Sequence, residues 1–279
     1  MSGRARAPRF GAEPSKPTRA IILSIAAVVF IIPILALVEF SVRVGQPVDG
    51  VQGYGLDHYV AVFDPANRST YQTLFQGIGN SLVICLITVL IVLVLLLPTM
   101  LLVELKFPRL RRVLEFICII PITIPTIVLV VGFVPVYKTV VHIFGSSPWT
   151  LAFAVGIIVL PYAYRPIAAN MAALDLLVLS EASRSLGASW GDVFWRILLP
   201  NLRRGIFAAS FITIAVVLGE YTIASFLSRN VFQTALVLLN HTDPYVAAIF
   251  AVLALVFGFL LLLIIGRLGS AGRNRKASA

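Results

Sequence analysis

Six long apolar stretches limit the fold more tightly than any other feature of this chain. They cover residues 20–38, 77–103, 116–137, 149–174, 205–227 and 245–266. A helix needs about 20 apolar residues to cross a hydrocarbon core of about 30 Å, and each stretch is of that order. The rest of the chain could not keep such segments in water. Hydrophobic residues make up 59% and charged residues only 12%, against roughly 45–50% and about 25% in soluble domains. A soluble enzyme, a disordered chain and a coiled coil are excluded. Short period-two alternation does not recur, which argues against a β-barrel. The expected fold is all-α: a polytopic membrane protein with six transmembrane helices.

Placing the basic residues on this map explains the formal net charge of +10. Of the 22 Lys and Arg, 17 fall in the N-terminal tail, the 2–3 and 4–5 connections and the C-terminal tail. Basic residues stay cytoplasmic, so both termini are expected in the cytoplasm, and the charge reports topology rather than nucleic-acid binding. The first apolar stretch exceeds a 7–15-residue signal core and lacks a small-residue cleavage site, so it is expected to be a retained helix. Residues 1–19 and 268–279 are expected as basic cytoplasmic tails flanking a membrane domain at 20–267. The first tail, rich in Gly, Pro and Arg, is expected to be disordered; it either touches anionic lipid headgroups or simply holds topology. Cys85 and Cys118 lie in apolar runs without ligand spacing, so neither a disulfide framework nor a metal site is expected.

Prolines interrupt the spans at Pro33, Pro98, Pro121, Pro125, Pro135, Pro161 and Pro166. Each removes a backbone donor. Pro121 and Pro125, four apart, would bend the third helix twice on one face, for motion or for packing.

The segment at 180–200 is too charged to span and too patterned to be loose. Ser180 is a candidate N-cap with Glu181 in the first turn, and Glu181 and Arg184 can pair at i, i+3. Gly187 suits a left-handed turn. Ser189 and Asp192 have capping-box spacing, after which Val193, Phe194, Ile197 and Leu198 form an apolar stripe closed by Pro200. Two short helices joined by a bend are predicted, either resting on the bilayer surface or docking in a partner's groove.

The pattern Glu181-Ala182-Ser183, three residues, Gly187, nine residues, Ile197-Leu198-Leu199-Pro200 resembles the cytoplasmic loop of permease subunits of binding-protein-dependent ABC importers. There the motif is Glu-Ala-Ala, three residues, Gly, nine residues, Ile-x-Leu-Pro; Ser183 is a small-for-small departure. The resemblance implies the type I importer permease fold and makes 180–200 a coupling helix on a cytoplasmic ATPase. Glu181, Ala182, Ser183, Gly187, Val193, Phe194, Ile197, Leu199 and Pro200 then become its candidate residues. It further implies an ATPase subunit dimer carrying ATP and Mg, a second and different permease subunit, an extracytoplasmic binding protein and a bacterial inner membrane. No lysine here follows a glycine, so the chain has no G-x-x-x-x-G-K-[ST] loop. It is expected to bind no cofactor and to have no catalytic site.

Ionisable groups at membrane depth face a cavity or a partner. Glu220 and Tyr221 lie late in the fifth stretch, and Arg165 interrupts the fourth, with Tyr162 and Asn170 near it. These residues either form a structural network, in which Glu220 neutralises Arg165, or line the pathway. Asn80-Ser81-Leu82, Leu160 to Pro166 and Leu218 to Leu227 resemble the polyamine-type permease branch, whose members also handle phosphonates, opines and ferric iron; Asn80 joins the pathway candidates on that basis. Residues 44–76 either contact a binding protein or form a plain connection. The rival readings are a gradient-driven transporter or channel, an integral membrane enzyme and a scaffold subunit.

Overall fold

The computed structural model describes residues 16–48 and 51–270. Among them, six helical runs are long and apolar enough to span a bilayer: Pro17–Ser41, Gln72–Lys106, Thr126–Phe144, Pro148–Ala172, Trp190–Leu218 and Pro244–Ile264. Residues 1–15 and 271–279 of the expected tails lie outside the described residues. Helix α1 (Lys16–Ser41) leads into a small antiparallel hairpin, β1 (Arg43–Val48) and β2 (Val51–Tyr54), and then α2 (Asp57–Phe63). The hairpin was not foreseen; it pairs Arg43 with Tyr54 and Val44 with Gly53. Tyr54 and Arg43 both bond the Glu39 carboxylate, which ties the hairpin to the end of α1.

The second span joins α3 (Gln72–Ile91) to α4 (Leu97–Lys106) through a widened turn at Val92–Leu96. There the Leu97 N–H reaches the Val92 carbonyl, five residues back. Pro98 follows at once. A proline has no N–H and its ring crowds the carbonyl four residues earlier, and the wider turn accommodates both.

The third span departs from expectation. In place of one doubly bent helix at 116–137 there are two, α5 (Arg111–Thr123) and α6 (Thr126–Phe144). Pro125 forces its predecessor out of the helical region, and Ile124 lies at φ −100°, ψ 127°. Pro121, inside α5, does not break it. Nineteen residues in α6 rise about 28 Å, enough to cross alone.

Helix α7 (Leu151–Ala172) is followed by α8 (Leu176–Ser185) and the single turn α9 (Trp190–Asp192). From Trp190 the chain winds through another wide turn, Val193–Leu198, into α10 (Leu199–Leu218). The Leu199 N–H bonds the Phe194 carbonyl, so Pro200 begins α10 instead of ending the loop helix. The fifth span stops at Leu218, not Leu227. After it come α11 (Thr222–Phe226), α12 (Phe232–Thr242) and the last span α13 (Pro244–Ser270). Alternating passage puts α8 and α9 at one end of the bundle and the hairpin, α2, α11 and α12 at the other.

The core lies among α3, α4, α7 and α10, where Ala152, Val159, Ala163, Ile167, Leu202 and Ala209 have no exposed surface. Small residues let helices approach closely where lipid offers no hydrophobic drive. Gly205 is the tightest case: a Cβ there would sit 2.8 Å from Asn170 Cβ and 3.0 Å from the Pro166 carbonyl oxygen. At the periphery, α1 presents Leu23 and Phe30 about 70% exposed, an arrangement suited to lipid.

Candidate functional site

The 180–200 segment forms a compact hook at the end of the bundle. Its first helix begins earlier than expected. Asp175 accepts the Val178 N–H at 3.1 Å and caps α8, because Leu176 must be buried beneath it. Ser180 is therefore internal and buried, with its hydroxyl on the Leu177 carbonyl at 2.8 Å. Glu181 and Ala182 lie mid-helix and exposed, and Ser183 bonds the Leu179 carbonyl at 2.7 Å. The anticipated Glu181–Arg184 pair does not form among the described residues. Arg184 instead donates to the Ala188 carbonyl at 2.8 Å and lies 5.3 Å from the Trp190 ring.

The bend is built by Gly187 at φ +87°. The Gly187 N–H returns to the Arg184 carbonyl at 3.0 Å and the Ala188 N–H to the Ser183 carbonyl at 3.1 Å. This is a Schellman closure, which uses orphan carbonyls at the end of a helix and favours glycine at its left-handed position. It turns Leu186 outward, 90% exposed at the tip. Ser189 and Asp192 then form the expected reciprocal capping box.

The apolar stripe behaves differently from expectation. Val193 and Leu198 are buried in the chain's own core, with Phe194 and Leu199 half-buried against it. Ile197 is half-buried and Pro200 exposed. The stripe fastens the hook to the bundle, and Glu181, Ala182, Leu186 and Gly187 form the outward surface. Leu186 was missed; an apolar residue just before the turn glycine was its only sequence signal.

The intramembrane polar residues do not converge. Arg165 lies seven residues before the end of α7, roughly 10 Å along the helix from its loop end. Glu220 follows the opposite end of α10. Opposite depths rule out the proposed neutralising pair, and no ion pair joins them among the described residues. Glu220 Oε1 accepts the Ile223 N–H at 2.7 Å and caps α11. Asn170 Oδ1 accepts the Gly205 N–H at 2.8 Å, locking α7 to α10. Arg165, Tyr162 and Tyr221 remain exposed.

Asn80 also has a structural partner. Its amide donates to the Asn230 carbonyl at 2.8 Å, while Ser81 Oγ accepts the Phe232 N–H at 2.9 Å. Asn230 donates to the Thr73 carbonyl, and Gln233 to that of Leu218. Irregular backbone at membrane depth must be satisfied by protein, and this polar face of α3 satisfies the link between α11 and α12. Gly77 belongs to it, since a Cβ there would meet the Val231 carbonyl oxygen at 2.8 Å. Among the described residues, no group of three or more His, Cys, Asp or Glu could hold a metal ion.

Comparison with known proteins gives this arrangement a family. One stretch is 33% identical over 81 residues to sulfate permease 2, chloroplastic, of Chlamydomonas reinhardtii, covering 29% of this chain and 22% of that relative. The chain therefore matches well under two thirds of that protein. Residues 101–271, well over half of the chain, match the family described as binding-protein-dependent transport system inner membrane component. The matched region contains the whole hook, Arg165 and Glu220, and excludes Asn80. With six apolar spans and a matched region of that extent, this multi-pass membrane chain belongs to the inner membrane components of binding-protein-dependent transport systems, a family of ABC importer permease subunits.

Proposed function

We propose that the chain forms half of the pathway of an ATP-driven importer, with the 180–200 hook as the seat of an ATPase subunit. One observation carries this reading: Gly187 fixes a tip that exposes Leu186 beside Glu181 and Ala182 while Val193 and Leu198 anchor it from below. ATP and Mg belong on the ATPase dimer. A second, different permease subunit completes the pathway, and a binding protein delivers solute at the hairpin side. The distribution of Lys and Arg supports cytoplasmic termini, and the family supports placement in a bacterial inner membrane. Closing the ATPase dimer would draw the hook with it and tip the bundle between its two access states. A near-complete swing requires about 5.5 kcal/mol of differential free energy, which ATP and the loaded binding protein supply together.

The runs Asn80–Leu82, Leu160–Pro166 and Leu218–Leu227 support a polyamine-like solute. A second reading, an oxyanion, is favoured by two observations. The relative is a sulfate permease. The exposed charge on α7 is the cation Arg165, whereas the Glu220 carboxylate is engaged as a cap.

Reconstitution with the copurified second permease subunit, ATPase and binding protein, followed by uptake of labelled spermidine and sulfate, separates the two. Glu220→Gln lowers uptake under the first reading, and Arg165→Gln under the second. Glu181→Lys and Gly187→Pro should abolish uptake and ATPase stimulation while the subunit still inserts; normal uptake in both would sink the docking assignment.

A further inference from the structure

Trp190 joins the two helices of the hook to α4, which lies more than 80 residues earlier in the chain. It opens α9, and the Lys106 ammonium at the end of α4 lies 4.5 Å from the centre of its ring. The Arg184 guanidinium, in the last turn of α8, lies 5.3 Å from the same ring. Arg184 is itself fixed by its bond to the Ala188 carbonyl. A cation over an indole face is attracted by the ring quadrupole, so this ring links the hook's two helices to the end of the second span. Deeper in, Leu101 of α4 and Leu198 of the hook are buried in one core. Outside that contact an open apolar groove of about 350 Å³ runs along Leu102, Leu105, Phe194 and Trp190. The clasp bridges it at one edge.

We propose that Trp190 is a positioning residue that carries movement of the hook into α4, and through its widened turn into α3. This rests on the docking reading above. When a bound ATPase displaces the hook, Lys106 follows the ring, and α4 moves with it. Without the ring, the outer edge of the hook can shift along the groove while its core contact at Leu198 stays in place. The end of α4 then no longer follows that edge.

Hydrogen exchange of the permease–ATPase complex in lipid nanodiscs, with and without a non-hydrolysable ATP analogue, tests this without knowledge of the solute. In the wild type, nucleotide should alter exchange both in the hook and at Val103–Phe107. In Trp190→Leu the hook response should persist while the α4 response falls at least threefold. Lys106→Gln should do the same without adding to Trp190→Leu. Trp190→Phe and Lys106→Arg, which retain ring and charge, should restore it. An unchanged α4 response in Trp190→Leu, or equal behaviour of the Leu and Phe variants, overturns the inference. If the variant also fails to copurify the ATPase, the ring serves docking and the inference is overturned. If the wild type retains no ATPase, the docking reading falls with it.

Discussion

Replacing Gly187 by alanine isolates the backbone's contribution to the hook. At φ +87° an L side chain is strained by about 1–2 kcal/mol. A Cβ built there meets nothing within 4 Å, so no steric term adds to that figure. The cost lies wholly in the turn, and it shifts the ratio of formed to opened hook roughly 5–30-fold. The amides that report it are those of Gly187 and Ala188, whose bonds to Arg184 and Ser183 close the bend. Their exchange in Gly187→Ala should accelerate by that factor while α7 and α10 stay protected. Asparagine tolerates the left-handed region, so Gly187→Asn should fall between wild type and alanine. Proline cannot adopt this φ and removes the N–H that bonds Arg184, costing about 3 kcal/mol or more. ATPase copurification and stimulation should follow the order Gly, Asn, Ala, Pro. If Ala and Asn are indistinguishable, or if proline is tolerated, the left-handed turn does not hold the hook.

Three further substitutions test other parts of the structure by thermal unfolding in detergent. Gly205→Ala should destabilise by about 1–3 kcal/mol through overpacking, because its Cβ would lie 2.8 Å from that of Asn170; an unchanged melting temperature would mean that α7 and α10 do not cross closely there. Glu220→Gln keeps an acceptor for the Ile223 N–H and should melt like the wild type. Glu220→Ala should lose about 1 kcal/mol, and equal melting of the two variants would remove Glu220 from its capping role. Ser228, at φ +53°, occupies the left-handed position of a second Schellman closure, with the Arg229 N–H on the Ala224 carbonyl; Ser228→Gly should stabilise by about 0.5–1 kcal/mol, and a loss of stability would refute strain at that position.

The hook was legible where its determinants are local. Gly187 and the Ser189–Asp192 box act within a few residues of themselves, and both formed as expected. The start of α8 was misplaced because Ser180 and Asp175 are both competent caps. Burial of Leu176 beneath the helix chose between them, and burial is not local. Trp190 escaped notice because its partner Lys106 lies on α4, more than 80 residues earlier in the chain. The polar face of α3 was visible as Asn80 and Ser81, but its use required the Asn230 carbonyl and the Phe232 N–H, which only the packed bundle brings to it.

Sequence by itself determined that six helices cross a membrane, since length and apolarity suffice for that, and that a hooked loop follows the fourth. Tertiary structure decided where those helices begin and end. Pro200 starts a helix instead of stopping one because the turn before it widens. The fifth span ends at Leu218 because α3, Gln233 and Glu220 satisfy the backbone that unwinds beyond it. In a medium without water, a helix can break only where other chain segments replace its lost hydrogen bonds, and those segments come together only in the fold.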